Sequence, residues 1–281
     1  MRTVRTATAM AAWSWAHHRE GVTIGLVPTM GALHAGHRAL IRAARLSCDA
    51  VVVSLFVNPA QFGPKEDFTR YPRQPGADAI LCRKEGVDVL FAPPVSQIYP
   101  DGFQTAVAVP ALAHRWEGAR RPGHFAGVAT VVTKLLTLVR PAAAFFGQKD
   151  FQQAALIRRL VEDLNLGARV IVYPTVREAD GLALSSRNVY LTPAQRRAAP
   201  VLFQALKAGR AAIRTGDRSG ARIQRVMRKV VAAEPMARLD YLAVCDPDTL
   251  EPLTRVRDRA VLLGAIRIGT IRLLDNLLVM R

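Results

Sequence analysis

Residues 23–37, TIGLVPTMGALHAGH, are the stretch that decides the fold. The first five residues are mostly β-branched or apolar and predict a buried strand. A turn bounded by Gly31 and Gly36 follows and contains His34, and residues 36–48, which include His37, then have a helical pattern. A strand, a glycine-bounded turn and a helix predict the start of a parallel βαβ unit.

The same alternation of strands and helices continues to about residue 175. Further strands are predicted at 50–56, 87–91, 142–146 and 170–173, and further helices at 78–86, 127–139 and 151–164. This order is typical of a parallel sheet with crossover helices, in which ligands bind beyond the carboxyl ends of the strands. Polar residues follow three of the strands, at 28–37, 58–62 and 147–150, so we expect the site there.

The amino-acid composition and the pattern of predicted elements change from about residue 177. Arg- and Ala-rich helices are predicted at 193–215 and 219–233, followed by strands at 239–244, 260–266 and 270–274. We therefore expect two domains, residues 1–176 and a smaller α+β domain, residues 177–281. Residues 174–188 between them predict a linker that can also act as a mobile lid.

The composition is that of a globular protein with an unusually basic surface. Half of the 281 residues are apolar, and the formal net charge is +17. Such a charge can indicate nucleic-acid binding, but the basic residues are scattered, with no long basic run and no interleaved aromatic stripe. A solvated, Arg-rich surface is the interpretation we prefer, so no nucleic-acid partner is expected.

The expected cellular location of the protein follows from its apolar runs and its cysteines. No apolar run approaches the ~20 residues needed to cross a bilayer, so no membrane span is expected. The first 16 residues faintly imitate a signal peptide, but a helix capped near Thr6 is the better interpretation. The dispersed cysteines Cys48, Cys82 and Cys245 predict buried thiols in a reducing compartment, which indicates the cytoplasm.

Two histidines three residues apart, His34 and His37, stand where a helix begins. Such a helix start attracts phosphate through its unpaired N–H groups and its dipole, and imidazoles add donors. The alternatives are a zinc pair, for which no third ligand is obvious, and a purely structural pair.

Two later segments add cations and hydroxyls. Lys149 follows an apolar strand, where an ammonium needs a phosphate or a carboxylate such as Asp150. Ser185-Ser186-Arg187 offers hydroxyls and a guanidinium for phosphate oxygens, although a capped turn explains the serines almost equally well.

The amides Gln61 and Gln153, each close to a phenylalanine, are suited to orienting a small ligand if they act as a pair. No Ser-His-Asp order, Cys-His pair, Walker loop or dinucleotide fingerprint is present. Phosphate donors without a protein nucleophile suit nucleotidyl transfer, in which the substrate itself attacks phosphorus.

These residues resemble a known family. HxGH after the first strand is similar to the signature of the nucleotidyltransferase superfamily that includes class I aminoacyl-tRNA synthetases. The longer blocks VPTMGALHAGH, SLFVNPAQF, EDFTRYPR, RPGHFAGVATVV, FFGQKDFQQ and PTVREADGLALSSRN occur in the order found in pantothenate synthetases. The resemblance runs from about Gly21 to residues 272–276.

The resemblance implies a Rossmann-like parallel sheet with helices on both faces, a C-terminal domain that closes over ATP, and a homodimer. It also implies ATP-dependent ligation of pantoate to β-alanine, with Mg²⁺, through a pantoyl adenylate, releasing pyrophosphate and AMP. His37 is usually assigned as proton donor, and the residues expected to act in catalysis are His34, His37, Lys149 and Arg187.

The binding residues that the resemblance implies fall into four groups. ATP would contact Met30, His34, Gly36, His37, Gly147, Lys149, Asp150, Val176, Leu184, Ser185, Ser186 and Arg187. Pantoate would contact Met30, Gln61 and Gln153, and β-alanine Gln61 and Arg121. Asp78 is the only carboxylate left for magnesium where the family has an acidic cluster, and Leu184 stands where a methionine is common.

Two alternatives remain at this stage. A dinucleotide-forming adenylyltransferase would share HxGH without needing the paired glutamines. An RNA-binding protein derived from a synthetase-like fold is favoured only by the charge.

Overall fold

The computed structural model describes residues 1–64 and 66–280, which form two compact units. The first unit contains residues Met1–Gly147 and Gln153–Pro174. The second contains Gln148–Gln152 and the described residues from Thr175 onward.

A six-stranded parallel sheet forms the centre of the first unit, which confirms the predicted fold. Its order is β1-β4-β3-β2-β5-β6, so β2 lies between β3 and β5. The strands are β1 (Arg2–Val4), β2 (Ile24–Thr29), β3 (Ala50–Leu55), β4 (Val89–Phe91), β5 (Ala143–Gly147) and β6 (Arg169–Tyr173). The sequence did not predict β1, because three residues at a sheet edge are too short to show an alternation.

The helices of this part of the chain follow the predicted pattern, with short additions. They are α1 (Ala7–Arg19), α2 (Ala35–Ser47), α3 (Pro75–Lys84), α4 (Val95–Ile98), α5 (Pro110–Ala113), α6 (Glu117–Arg120), α7 (His124–Val139) and α8 (Phe151–Asp163), with a 3-10 turn η1 at Pro59–Gln61. The Thr6 side chain caps α1 by accepting from the Ala9 N–H, as predicted. Helix α3 begins three residues earlier than predicted, because Pro75 suits the first turn of a helix.

Helices cover both faces of the sheet. Leu40, Ile41 and Ala44 of α2 pack with Val27 and Val51 in one buried cluster. Helix α7 contacts β2 as well, and because side chains alternate along a strand, the apolar residues of β2 serve both faces. Every residue of β2 except Pro28 is buried, which is typical of a central parallel strand.

The second unit packs helices against a small antiparallel sheet of order β7-β8-β9. Its elements are 3-10 turns η2 (Gln148–Asp150) and η3 (Ser186–Tyr190), helices α9 (Pro193–Ala198), α10 (Val201–Arg214) and α11 (Gly220–Ala232), and strands β7 (Ala237–Cys245), β8 (Arg259–Ile268) and β9 (Ile271–Met280). The predicted helix 193–215 is divided at Ala199–Pro200, because proline lacks the N–H that a continuous helix requires.

The last strand is longer than predicted. Strand β9 pairs with β8 along its whole length, from Ile268 opposite Ile271 to Arg259 opposite Met280. The sequence prediction ended the strand at residue 274, just before the polar residues Asp275 and Asn276. Both residues are buried and have hydrogen-bond partners, so the strand continues through them.

Candidate active site

The turn between β2 and α2 has an unusual backbone that is held by side chains. Gly31 and Ala32 both adopt left-handed conformations, with φ of 85° and 50°. The Thr29 hydroxyl accepts from the Gly31 N–H at 3.2 Å and donates to the Ser54 carbonyl at 2.7 Å. The next two N–H groups, of Ala32 and Leu33, donate to the Asp78 carboxylate at 3.0 and 2.8 Å.

The two histidines form the cap of α2. The Gly36 N–H donates to Nδ1 of His34 at 3.1 Å, and the His34 N–H donates to Nδ1 of His37 at 3.3 Å. Because both Nδ1 atoms accept, the hydrogen-bond network assigns each ring its proton on Nε2. The two neutral imidazoles, with ring centroids 4.1 Å apart, therefore present N–H donors at a helix N-terminus.

Gly36 is required by the close approach of His34. A Cβ added at Gly36 would lie 2.9 Å from Cε1 and 3.0 Å from Nδ1 of the His34 ring. Atoms this close would displace the ring from its capping position. The glycine of HAGH thus allows the first imidazole to fold over the helix start.

A buried amide network surrounds Gln61, on the turn η1 after β3. Asn58, which is 1% exposed, donates through Nδ2 to Oε1 of Gln61 at 3.1 Å and to the Gly127 carbonyl at 3.0 Å. The Tyr99 hydroxyl donates to Oδ1 of Asn58 at 2.8 Å, and burial raises the pKa of Tyr99 to about 12, which keeps the phenol protonated. The Gln61 amide nitrogen contacts the Met30 sulfur at 3.1 Å.

An arginine, a carboxylate and a buried histidine lie beside Gln61. Arg121 binds Glu66 through Nε at 2.7 Å and Nη2 at 2.6 Å. His124 donates from Nδ1 to the Gln61 carbonyl at 2.8 Å, so its Nε2 accepts from Arg121 Nη1 at 2.9 Å. Burial, aided by the Arg121 charge, lowers the pKa of His124 to about 4. Burial alone would raise the pKa of Glu66, but the Arg121 hydrogen bonds outweigh it and the pKa is lowered.

In the second unit, the turn η2 carries Lys149 and is held by Asn276 of β9. The Asn276 amide donates to the carbonyls of Gln148 and Lys149 at 2.8 and 2.9 Å, and its Oδ1 accepts from the Gln148 amide at 3.2 Å. The Lys149 ammonium lies 3.6 Å from the Asp150 carboxylate. This ion pair is the alternative that the sequence had left open for Lys149.

The segment before α9 is ordered by a local cap and by a buried ion pair. Oγ of Ser185 accepts from the Arg187 N–H at 3.3 Å and begins the turn η3. Arg177 binds both oxygens of Asp275, at 2.5 and 2.9 Å, and donates to the Gly181 carbonyl at 3.0 Å. Burial raises the pKa of Asp275 against the opposing effect of Arg177. The ion pair thus joins this segment to β9.

Comparison with known proteins identifies the family. A profile of the pantoate-beta-alanine ligase family matches residues 2–278. The chain belongs to this family.

Curated relatives and solved structures match over nearly the whole chain. The pantothenate synthetase of Moorella thermoacetica is 51% identical over 276 residues, covering 98% of both chains. That of Roseiflexus castenholzii is 55% identical over 253 residues, covering 90% of this chain and 91% of the relative.

Two crystal structures extend the comparison. That of the Thermus thermophilus pantothenate synthetase is 51% identical, with a TM-score of 0.94 and 99% coverage of both chains. The Francisella tularensis pantoate-beta-alanine ligase, complexed with beta-gamma ATP and beta-alanine, is 34% identical, with a TM-score of 0.81, and the match covers 99% of this chain and 97% of that one.

Within the first unit, the sheet brings together the site residues that the sequence selected after neighbouring strands. The carboxyl ends of β3, β2 and β5 are adjacent. Strand β3 leads to Gln61, β2 leads to Met30 and the two histidines, and Gly147 is the last residue of β5. Gln153 is half-buried in the first turn of α8, after β5.

The predicted residues of the second unit lie on two local structures. Lys149 and Asp150 are on η2, Ser185 caps η3, Ser186 and Arg187 lie in η3, and Val176 and Leu184 lie in the segment that precedes it. The Leu184 N–H donates to the Val176 carbonyl at 3.0 Å, which pairs these two residues. Ser186 and Arg187 are half-buried.

The predicted magnesium ligand does not fit a metal site. Asp78 is 3% exposed, and each of its carboxylate oxygens accepts a backbone N–H. Within residues 1–64 and 66–280, no group of three or more His, Cys, Asp or Glu side chains is arranged to hold a metal ion. Both oxygens of Asp78 are thus already engaged by the backbone, and among the described residues Asp78 has no second carboxylate beside it with which to share a divalent cation.

Several residues of the site were not selected from the sequence. Asn58 and His124 occur inside the blocks SLFVNPAQF and RPGHFAGVATVV, and Asn276 in the 272–276 block, but none was given a role. Each is a polar residue in an apolar stretch of sequence, and this could have marked it for attention, because a polar side chain that is buried must find hydrogen-bond partners. Identifying those partners requires the tertiary structure.

Proposed function

We propose that this chain joins pantoate to β-alanine at the expense of ATP, forming pantothenate, AMP and pyrophosphate. The observation that carries this proposal is the family match over residues 2–278. The geometry of the HAGH turn alone would suit any nucleotidyltransferase. The Francisella relative, complexed with beta-gamma ATP and beta-alanine, supports the choice of substrates.

The first step we propose is adenylation. A pantoate carboxylate oxygen attacks the α-phosphorus of ATP, the bond between that phosphorus and the bridging oxygen breaks, and pyrophosphate leaves. His34 and His37 donate from Nε2 to phosphate oxygens, and Lys149 and Arg187 offset negative charge. Both imidazoles are neutral, so they act as hydrogen-bond donors. Preorganised donors of this kind favour the transition state because no reorganisation is needed.

The second step is amide formation. The amine of β-alanine attacks the acyl carbon of pantoyl adenylate, the bond from that carbon to the phosphate oxygen breaks, and AMP leaves. The attacking nitrogen of the free amine loses one proton to solvent or to a base and keeps the other as the amide N–H. No protein nucleophile takes part, so the contribution of the protein is position and charge.

We propose that Gln61, with Met30 and Gln153, holds pantoate. The side-chain oxygen Oε1 of Gln61 is engaged by Asn58, so the side-chain NH₂ group is the part that can donate to a ligand hydroxyl or carboxylate. Gln61 and Arg121 are our candidates for β-alanine. Glu66 occupies Nε and Nη2 of the Arg121 guanidinium, so a substrate carboxylate would have to displace Glu66 to bind that edge.

The remaining ATP contacts are proposed on the resemblance. We propose that Gly36, Gly147, Asp150, Val176, Leu184, Ser185 and Ser186 contact the nucleotide, and that residues 177–281 close over it while residues 1–176 bind pantoate and ATP. Magnesium enters bound to ATP, as part of that substrate.

We also propose a cytoplasmic homodimer. Cys48, Cys82 and Cys245 are all buried, unbridged thiols, which suits a reducing compartment. In the described part of the chain, no helix has the length and apolar character to cross a membrane. Light scattering during gel filtration measures the oligomeric state, and a mass of one chain would contradict the dimer.

The test is an assay for pantothenate, AMP and pyrophosphate in which pantoate, β-alanine, ATP and Mg²⁺ are each omitted in turn. We expect all three products in equal amounts only when every component is present. A dinucleotide product, or ADP in place of AMP, would contradict the proposal.

A further inference from the structure

The carboxylate of Asp78 ties the turn of the two histidines to helix α3. Its two oxygens accept from consecutive N–H groups, Oδ2 from Ala32 at 3.0 Å and Oδ1 from Leu33 at 2.8 Å. Asp78 lies 45 residues further along the chain than Leu33 and is buried, at 3% exposure. Since charged residues are rarely buried without a partner, these two N–H groups account for its position.

The backbone of the turn requires such an external tie. Gly31 and the non-glycine residue Ala32 have φ of 85° and 50°, and a left-handed non-glycine residue costs of order 1 kcal/mol or more. Consecutive N–H groups in such a turn form a concave anion-binding nest, and the Asp78 carboxylate occupies it. A Cβ at Gly31 would lie 3.0 Å from Oδ2 of Asp78, so the carboxylate also restricts that position to glycine.

The tie acts on the residues proposed to contact ATP. Leu33, whose N–H donates to Asp78, directly precedes His34, which caps α2 together with His37. Moving the turn would therefore move both Nε2 donors. A misplacement of about 1 Å can cost on the order of 100-fold in rate.

We propose that Asp78 is a positioning residue that sets the two histidines for catalysis and is not a ligand of magnesium. The inference rests on the proposed ligase function for its effect on rate. The tie itself is a structural arrangement that can be measured without activity.

The first test uses the unaltered protein. Hydrogen exchange of individual backbone amides, followed by NMR, should find the N–H groups of Ala32 and Leu33 protected at least 100-fold relative to an unstructured chain. Exchange of both at the rate of an unstructured peptide would overturn the proposal, whatever the activity.

The second test uses Asp78→Asn, which keeps one acceptor and turns an NH₂ group toward a backbone N–H. We expect exchange at Ala32 and Leu33 to rise at least tenfold and kcat to fall about 10- to 100-fold. The Mg²⁺ concentration that gives half-maximal rate at fixed ATP should remain within twofold of its value for the unaltered protein. A tenfold rise in that concentration with unchanged loop exchange would identify a metal ligand and overturn the proposal.

Asp49→Asn is the matched control. Asp49 accepts from the N–H and hydroxyl of Thr23 just before β2 begins, so its loss should speed exchange there and leave the histidine turn and kcat unchanged. If the unaltered protein and all variants lack ligase activity while Asp78→Asn still speeds amide exchange at Ala32 and Leu33, the proposed function is wrong. The structural role of Asp78 in the turn is then still supported. An equal loss of kcat in Asp49→Asn would overturn the specific role of Asp78.

Discussion

The histidines of the site differ in which ring nitrogen carries the proton. His34 and His37 accept at Nδ1 and so carry their protons on Nε2, whereas His124 donates from Nδ1 to the Gln61 carbonyl. The difference follows from backbone partners: an N–H fixes an acceptor and a carbonyl fixes a donor. Three hydrogen bonds thus set the tautomers of these rings, which could not be predicted from the sequence.

His37→Ala should lower kcat by about 10²–10³, because it removes one of the two preorganised donors that we propose for the phosphates. The melting temperature should change by a few degrees at most, since His34 still accepts from the Gly36 N–H. Steady-state kinetics and thermal unfolding measure both quantities. His18→Ala, at an exposed position near the end of α1, is the control, and an unchanged kcat in His37→Ala would contradict the assignment.

His124 should make stability depend on pH. Its pKa is about 4 in the folded protein, against an ordinary value of 6.5, so the unfolded chain takes up a proton first as pH falls. The stabilisation is complete above pH 6.5 and is lost progressively toward pH 4, by roughly 3 kcal/mol at most.

His124→Gln tests this dependence, because glutamine retains a donor and an acceptor but does not titrate. Urea unfolding at several pH values between about 7.5 and about 4.5 should give a shallower loss of stability in the variant than in the unaltered protein. Parallel curves would show that His124 does not contribute.

At the scale of elements, helix α7 and the turn η1 approach each other through a glycine. A Cβ at Gly127 would lie 2.2 Å from the Ala60 carbonyl oxygen and 2.7 Å from the Gln61 nitrogen. The sequence prediction began this helix at Gly127. In the structure the helix begins at His124, and the glycine serves packing.

Gly127→Ala should therefore displace η1 and destabilise the protein by about 1–3 kcal/mol. Because Asn58 and Gln61 would move with η1, KM for pantoate should rise more than KM for ATP. Gly76→Ala is the control, since a Cβ there meets nothing within 4 Å. Denaturant unfolding and steady-state kinetics check the two effects. Equal behaviour of both variants would contradict the role of this contact.

Strand β9 supports the turn η2 through one amide. Asn276→Ala would leave the Gln148 and Lys149 carbonyls without their Nδ2 donor, which should reorient the Lys149 turn and lower kcat about tenfold. If Asn276 acts through Lys149, then adding Asn276→Ala to Lys149→Ala should have no further effect on kcat. Rate losses that simply multiply in the double variant would show that the two residues act independently.

For the whole molecule, the sequence predicted the parallel sheet because its strands are long apolar runs separated by helical patterns. It did not predict the strand order, which depends on pairings between distant segments such as β2 with β5. The HAGH turn and Gln61 were selected because they are polar residues after buried strands. The hydrogen bonds that join Asp78 to Leu33, His124 to Gln61 and Asn276 to Lys149 were not predicted, because the two residues of each pair lie far apart in the chain.

The central claim is that pantoate carboxylate attacks the α-phosphorus of ATP without a protein nucleophile. Exchange of labelled pyrophosphate into ATP, measured with pantoate and Mg²⁺ but without β-alanine, tests it most directly. We expect exchange that stops when pantoate is omitted and that is strongly reduced in His37→Ala. Absence of exchange, with ADP as the nucleotide product of the complete reaction, would contradict the claim.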